Sequence, residues 1–230
     1  GATLLRTVEL FAGVGGFRLG LEKLNTGTPE NKQIKVIWSN QWEPGKKEQF
    51  AFDCYVKHFN GEGVHINEDI AAVNETSSIP EHELLVGGFP CQDYSVARTL
   101  NGEKGIQGKK GVLFWEIMKV IDLRRPPYVL LENVDRLLKS PANQRGRDFS
   151  VMLASFADRG YSVEWRVINA ADYGFPQKRR RVFIFATRSD IPFSNECASA
   201  QPKEVLFEKG FFAPAFPIKE CSSPINGSTE

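Results

Sequence analysis

The chain has 230 residues, of which 41% are hydrophobic and 25% charged, and a formal net charge of +1. That suits one sizeable globular domain with a full core, or a domain plus a tail, and it excludes bulk attraction to nucleic acid, so any basic surface is local. The four cysteines (Cys54, Cys91, Cys197 and Cys221) form no C-x-x-C pair or zinc spacing and no apolar stretch approaches a membrane span, which argues against a structural metal or a membrane partner and for a reducing compartment.

Thr7-Val8-Glu9-Leu10-Phe11 reads as a short buried strand. Gly13-Val14-Gly15-Gly16 follows at once, and Phe17 to Leu24 is helical, with Phe17, Leu21 and Leu24 on one face. Strand, glycine turn and helix open many nucleotide-binding α/β folds, because the glycines admit a ligand to the backbone and the helix N-terminus favours negative charge. A plain tight turn is the competing reading. Ile34 to Ser39 is a second strand, with Trp42 just past its end and a helix expected from Pro44 to about Phe59. Dinucleotide folds place an acid at this strand end to hold ribose hydroxyls, and Gln41 and Glu43 both stand there. Trp42 offers a flat face to a purine, or serves as a core aromatic. Asn67-Glu68-Asp69-Ile70 is polar and reads as a loop.

Leu84-Leu85-Val86 then runs into Gly87-Gly88-Phe89-Pro90-Cys91-Gln92. Pro90 fixes its own φ and pushes Phe89 out of helical space, which mounts Cys91 on a stiff, extended corner at the end of a buried strand. This is a setting for a nucleophile; a buried structural cysteine is the alternative. Residues 93–111 carry Gly102, Gly105, Gly108 and Gly111 with Arg98, Lys104, Lys109 and Lys110 interleaved. So long a segment beside a nucleophile suggests a lid over an anionic substrate, against a solvated loop. Val112 to Asp122 is an amphipathic helix ended by Pro126-Pro127, and Tyr128 to Leu131 is a buried strand ending in Glu132-Asn133-Val134. An acid at a strand's C-terminal end lies where open α/β sheets bind ligands. Phe149 to Asp158 reads as a helix, and Ser162 to Ile168 and Val182 to Thr187 as strands, separated by a stretch that ends in the basic run Lys178-Arg179-Arg180-Arg181. From about Asp190 the pattern fades.

Taken in order, these motifs resemble the DNA cytosine-5 methyltransferases, from about Thr7 to Arg188. Phe11-Ala12-Gly13-Val14-Gly15-Gly16 looks like the family's S-adenosylmethionine loop, Trp42 its adenine-stacking residue, and Asp69-Ile70 the acid that recognises the adenine amino group. Gly88-Phe89-Pro90-Cys91-Gln92 matches the catalytic loop, Leu113-Phe114 the helix start lining the cofactor site, and Glu132-Asn133-Val134 the acid motif. Gln177, Arg179 and Arg181 fit the Q-x-R-x-R pattern.

The resemblance implies a Rossmann-like α/β fold: a mostly parallel sheet with helices on both faces. Residues 1–190 would form the catalytic and cofactor-binding domain, and 191–230 an extension toward a target-recognition region. It further implies catalysis by Cys91, Glu132, Arg179 and Arg181. Cofactor contacts are expected from Phe11, Gly13, Gly15, Gly16, Gln41, Trp42, Asp69, Ile70, Pro90 and Leu113. Contacts to double-stranded DNA fall to Gln92, Asn133 and Gln177, with Ser95 and Arg98 read as phosphate or flipped-base contacts. A cytoplasmic prokaryotic protein, as in a restriction-modification system, is the expected setting. Two departures stand out. The family usually has an acid at Gln41, so weaker cofactor affinity is expected. Nothing after Thr187 resembles the family's recognition domain and closing segments, so the chain reads as the catalytic part of a two-chain enzyme or as a truncated chain. The competing readings are a partner-dependent, cofactor-binding subunit without activity of its own and, with RNA as the substrate, the same chemistry. A nicotinamide oxidoreductase is disfavoured, since Arg18 stands where G-x-G-x-x-G needs its third glycine.

Overall fold

A computed structural model describes residues 4–13, 15–23, 25, 33–90, 113–134, 142–169 and 180–190. It divides into two compact units, Gly1–Gly88 with Phe114–Leu130, and Phe89–Leu113 with Leu131–Glu230. The strands are β1 (Leu5–Leu10), β2 (Ile34–Asn40), β3 (Val64–Ile66), β4 (Leu84–Pro90), β5 (Tyr128–Val134), β6 (Tyr161–Asn169) and β7 (Arg180–Arg188). The helices are α1 (Gly16–Lys23), α2 (Phe50–His58), α3 (Ile70–Thr76), α4 (Leu113–Arg124) and α5 (Ala142–Asp158). The strands make one seven-stranded sheet, ordered β3-β2-β1-β4-β5-β7-β6. The pairs β1–β2, β1–β4 and β2–β3 are parallel, and β6–β7 is antiparallel. This is the expected mostly parallel α/β sheet.

Burial explains the order. β1 exposes only Arg6, and Leu84, Leu85 and Val86 of β4 are fully buried. The run in β4 is what a strand covered on both faces requires, whereas β1 buries Thr7 and Glu9 among its apolar residues. In the first unit α4 adds Phe114, Ile117, Met118, Val120 and Ile121 to the core. Its one buried acid, Glu116, accepts from Asn74 Nδ2 of α3 at 2.8 Å and pairs with Lys119 at 3.0 Å. In the second unit β6 and β7 pair from Tyr161↔Arg188 to Asn169↔Arg180, and Met152 and Phe156 of α5 are buried.

Several local expectations are corrected. Pro44 does not start a helix. Residues 41–49 are irregular, and Gln49 holds them, taking the Glu43 N–H on its Oε1 and donating from Nε2 to the Glu43 and Lys46 carbonyls. α2 therefore begins at Phe50. Ile70 is not in a loop: Asp69 caps α3, its Oδ1 accepting the Ala71 N–H at 2.9 Å. Strand β3 was not expected at all, and α5 starts at Ala142 rather than Phe149.

Two buried titratable groups in the first unit oppose one another. His82 sits just before β4 with Nδ1 2.7 Å from the Pro80 carbonyl, while among the described residues no partner reaches its buried Nε2. Burial lowers its pKa to about 4. Glu9 of β1 is 1% exposed, and burial raises its pKa to about 7 against the opposing effect of the Tyr55 hydrogen bond. For His82 the unfolded state binds its proton first, so its contribution is present above the unfolded pKa of about 6.5 and is lost as pH falls toward 4. Glu9 acts with the opposite sign, its contribution present at low pH and lost as pH rises through 7. The windows overlap, so the wild-type profile alone mixes them. His82→Asn should flatten the acid limb: urea unfolding at pH 7 and pH 4.5 should show wild type losing about 2 kcal/mol more than the variant. Equal losses would exclude a buried neutral His82.

Candidate active site

The turn after β1 is built by conformation first. Phe11 has φ 55, Gly13 φ 57 and Gly15 φ 97, and α1 begins at Gly16. Gly15 is required twice over. Its φ strains any side chain, and a Cβ there would run into the Phe59 ring and stand 3.2 Å from Tyr55 Cδ2. Gly13 differs, since a Cβ there would meet nothing within 4 Å. The space over Gly13 is open, while the floor beneath Gly15 is filled.

The end of β2 ties this turn down. The Ala12 N–H donates to the Asn40 carbonyl at 3.0 Å, and the Gly13 N–H donates to Gln41 Oε1 at 2.8 Å. Of the two candidates at this strand end, Gln41 thus faces the glycine turn. Glu43 turns toward α2, with Oε2 accepting the Ala51 N–H at 3.4 Å and Oε1 pairing with Lys46. Asn67 Nδ2 donates to the Gln41 carbonyl at 2.7 Å, and Asn40 Nδ2 to the Glu68 carbonyl at 2.7 Å. The turn, the end of β2 and the approach to Asp69 therefore form one hydrogen-bonded set. Trp42 is 38% exposed, Asp69 is exposed and Ile70 is buried. Open backbone beside a helix start, a half-exposed indole and an exposed carboxylate suit a ligand with polar, aromatic and amine parts.

Beneath the turn lies a buried polar network that pattern reading missed. Tyr55 donates its hydroxyl proton to Glu9 Oε1 at 2.7 Å and accepts from Arg18 Nη1 at 3.1 Å. Arg18 also pairs with Glu22 and Glu62, each at 3.1 Å, and its guanidinium lies 4.1 Å from the Phe59 ring centroid. The one sequence signal was a charged residue, Arg18, on a helix otherwise packing through Leu21. Asn40 and Asn67 gave no signal at all beyond polarity at a strand end.

Of the other expected residues, Pro90 ends β4 and Leu113 begins α4, where it is half-buried. Glu132 lies near the end of β5, half-buried, with Asn133 next in the strand. Arg181 is in β7, opposite Ile168 of β6. Cys91, Gln92, Ser95, Arg98, Gln177 and Arg179 lie outside the described residues. Among the described residues no helix is long and apolar enough to cross a membrane.

Residues 5–219 match the family model for C-5 cytosine-specific DNA methylases. The chain is 57% identical over 220 residues to the type II methyltransferase M.Sau3AI of Staphylococcus aureus, covering 95% of this chain and 52% of that protein. It is 34% identical over 193 residues to M.HhaI of Haemophilus parahaemolyticus, covering 84% and 52% respectively. The fold is similar to the crystal structure of S. pombe Dnmt2 methyltransferase, with a TM-score of 0.54 at 19% identity over 82% of this chain and 51% of that one. The chain spans about half the length of the curated relatives it matches.

Proposed function

The chain belongs to the C-5 cytosine-specific DNA methylases, and from that premise we propose that it transfers a methyl group from S-adenosylmethionine to carbon 5 of a flipped-out cytosine in DNA through a covalent adduct on Cys91. The observation that carries the cofactor half is the Gly13–Gln41 hydrogen bond beside open space over Gly13. The donor set fits the cofactor: Phe11, Gly13, Gly15 and Gly16 form the cradle, Gln41 its ribose contact, Trp42 and Ile70 its adenine contacts, and Asp69 the acceptor for the adenine amine. Pro90 and Leu113 would complete the lining. S-adenosylmethionine, when bound, supplies an electrophilic methyl group.

The chain's own residues do the rest. Cytosine carbon 5 is a weak nucleophile. Addition of the Cys91 thiolate to carbon 6 pushes electron density onto carbon 5, and Glu132 contacts N3 and the exocyclic amine so that protonation at N3 stabilises the adduct. Once carbon 5 is methylated, loss of its proton and expulsion of the thiolate restore the ring. Arg179 and Arg181 bind the base carbonyl, the Glu132 region or the backbone phosphates. Gln92, Ser95, Arg98, Asn133 and Gln177 contact the DNA, whose target base must leave the stack at a cost of about a few kcal/mol.

Residues 1–190 would be the catalytic and cofactor-binding domain, and 191–230 lead toward recognition. Selecting a target sequence is proposed to rest on sequence beyond the half shared with the relatives, in the same polypeptide or a second one. The same half-length match also favours a second reading, a cofactor-binding subunit inactive without its partner. Glu132→Gln separates chemistry from binding. It should slow single-turnover methylation about 100-fold or more while DNA affinity stays within about threefold. Weakened DNA binding with an unchanged chemical step would assign Glu132 a structural role instead.

A further inference from the structure

We propose that Tyr55 is a positioning residue for the glycine turn, its hydroxyl acting as the pin that joins the strand entering the turn to the helix leaving it. The proposal rests on the cofactor reading above. Tyr55 is 1% exposed on α2. Its hydroxyl has one proton to give and lone pairs to accept with, and it uses both, toward Glu9 of β1 and Arg18 of α1. Glu9 stands two residues before Phe11, and Arg18 two after Gly16, so the pin spans the turn. The same ring packs 4.8 Å from Phe59, and the two rings form the floor that leaves no room for a Cβ at Gly15.

Packing alone does not call for this arrangement. A phenylalanine would fill the same space, and apolar residues commonly replace a buried polar network without loss of stability. Here a carboxyl is buried instead, with one oxygen held by Tyr55 and the other reached by no donor among the described residues. Without the hydroxyl both carboxyl oxygens would lack partners, and Arg18 would lose its link to β1. What the network adds is a fixed direction for the N–H groups of the turn and of the first turn of α1, those of Gly13, Gly15 and Leu19 among them, which donate to Gln41, Ala12 and Gly15.

The test compares wild type with Tyr55→Phe by calorimetric titration with S-adenosylmethionine and by amide hydrogen exchange. The dissociation constant should rise about tenfold, and exchange at Gly13, Gly15 and Leu19 by a similar factor, the equivalent of one lost buried hydrogen bond. Glu9→Leu should reproduce both effects and add nothing to Tyr55→Phe. Glu9→Gln, which keeps an acceptor for the hydroxyl, should stay within about twofold of wild type. Ile79→Val, a core change of comparable destabilisation outside the network, should move neither readout. Unchanged affinity and exchange in Tyr55→Phe, or equal shifts in Ile79→Val, would overturn the proposal. If wild type itself binds no S-adenosylmethionine, the cofactor reading fails, and the exchange data decide alone: a rise confined to the turn upholds the pin, and no local rise rejects it.

Discussion

Cys91→Ala is expected to abolish methyl transfer, by roughly 10,000-fold or more, while changing the S-adenosylmethionine dissociation constant by no more than about twofold. The strand that delivers position 91 is firmly set. Leu84, Leu85 and Val86 are fully buried, and β4 pairs with β1 from Thr7↔Leu84 to Leu10↔Gly87. At Gly87 a Cβ would stand 3.2 Å from the Leu10 carbonyl oxygen, so the two backbones approach closely where the strand nears its end. Replacing the thiol leaves that frame intact. The residues assigned to the cofactor lie mostly in the turn after β1, at the start of α1, just past β2 and at the start of α3, and none is altered. Only the proposed nucleophile disappears, and on the proposed route carbon 5 is not activated without addition at carbon 6. Comparable turnover in single-turnover assays of the variant would remove covalent catalysis from the account.

Arg18→Ala carries the largest expected loss of stability, about 3 kcal/mol by urea unfolding at neutral pH. Its ion pairs are not the main reason. Glu22 and Glu62 are 40% and 63% exposed, so water screens both pairs and each contributes little. The guanidinium itself is 3% exposed, stacked on Phe59 and hydrogen-bonded to Tyr55. Its removal opens a cavity against two aromatic rings and takes away a cation that helps hold the Glu9 carboxyl ionised. The Glu9 pKa should therefore rise further, and the variant should lose more stability at pH 8 than at pH 5. Arg18→Lys should recover only part of the loss, since an ammonium lacks the planar face and the forked donors. A loss below about 0.5 kcal/mol would mean that the network is ornamental to the fold.

How much of this was legible in the sequence depended on what kind of signal carried it. β4 and β5 were readable because strands buried on both faces are continuous apolar runs, as in Leu84-Leu85-Val86, and β1 and β2 as short, mostly apolar stretches beside turn residues. The glycine turn was readable because positive φ and close approach leave few alternatives to glycine, although Phe11 adopts φ 55 without being one. Short or polar elements were not. β3 has three residues at the sheet's edge with Val64 54% exposed, and α3 depends on the Asp69 cap and on the Asn74–Glu116 contact across 42 positions. α2 was started too early because Pro44 suits a first helical turn, whereas Gly45 at φ 73 and the Gln49 side chain favour a loop. The side chains divided the same way. Gln41 was singled out by its place at a strand end, but the hydrogen bond it accepts from Gly13 shows only in the fold. The Glu9–Tyr55–Arg18 network joins residues as far as 46 positions apart, and no local pattern encodes it.

The central claim is that this chain's own residues methylate cytosine at carbon 5. It is tested most directly by incubating the full chain with methyl-labelled S-adenosylmethionine and mixed-sequence duplex DNA, then digesting the product to nucleosides. Slow but measurable label should appear in 5-methylcytosine alone and be absent with Cys91→Ala. Label in another nucleoside, or none from a folded chain that binds the cofactor, would contradict it.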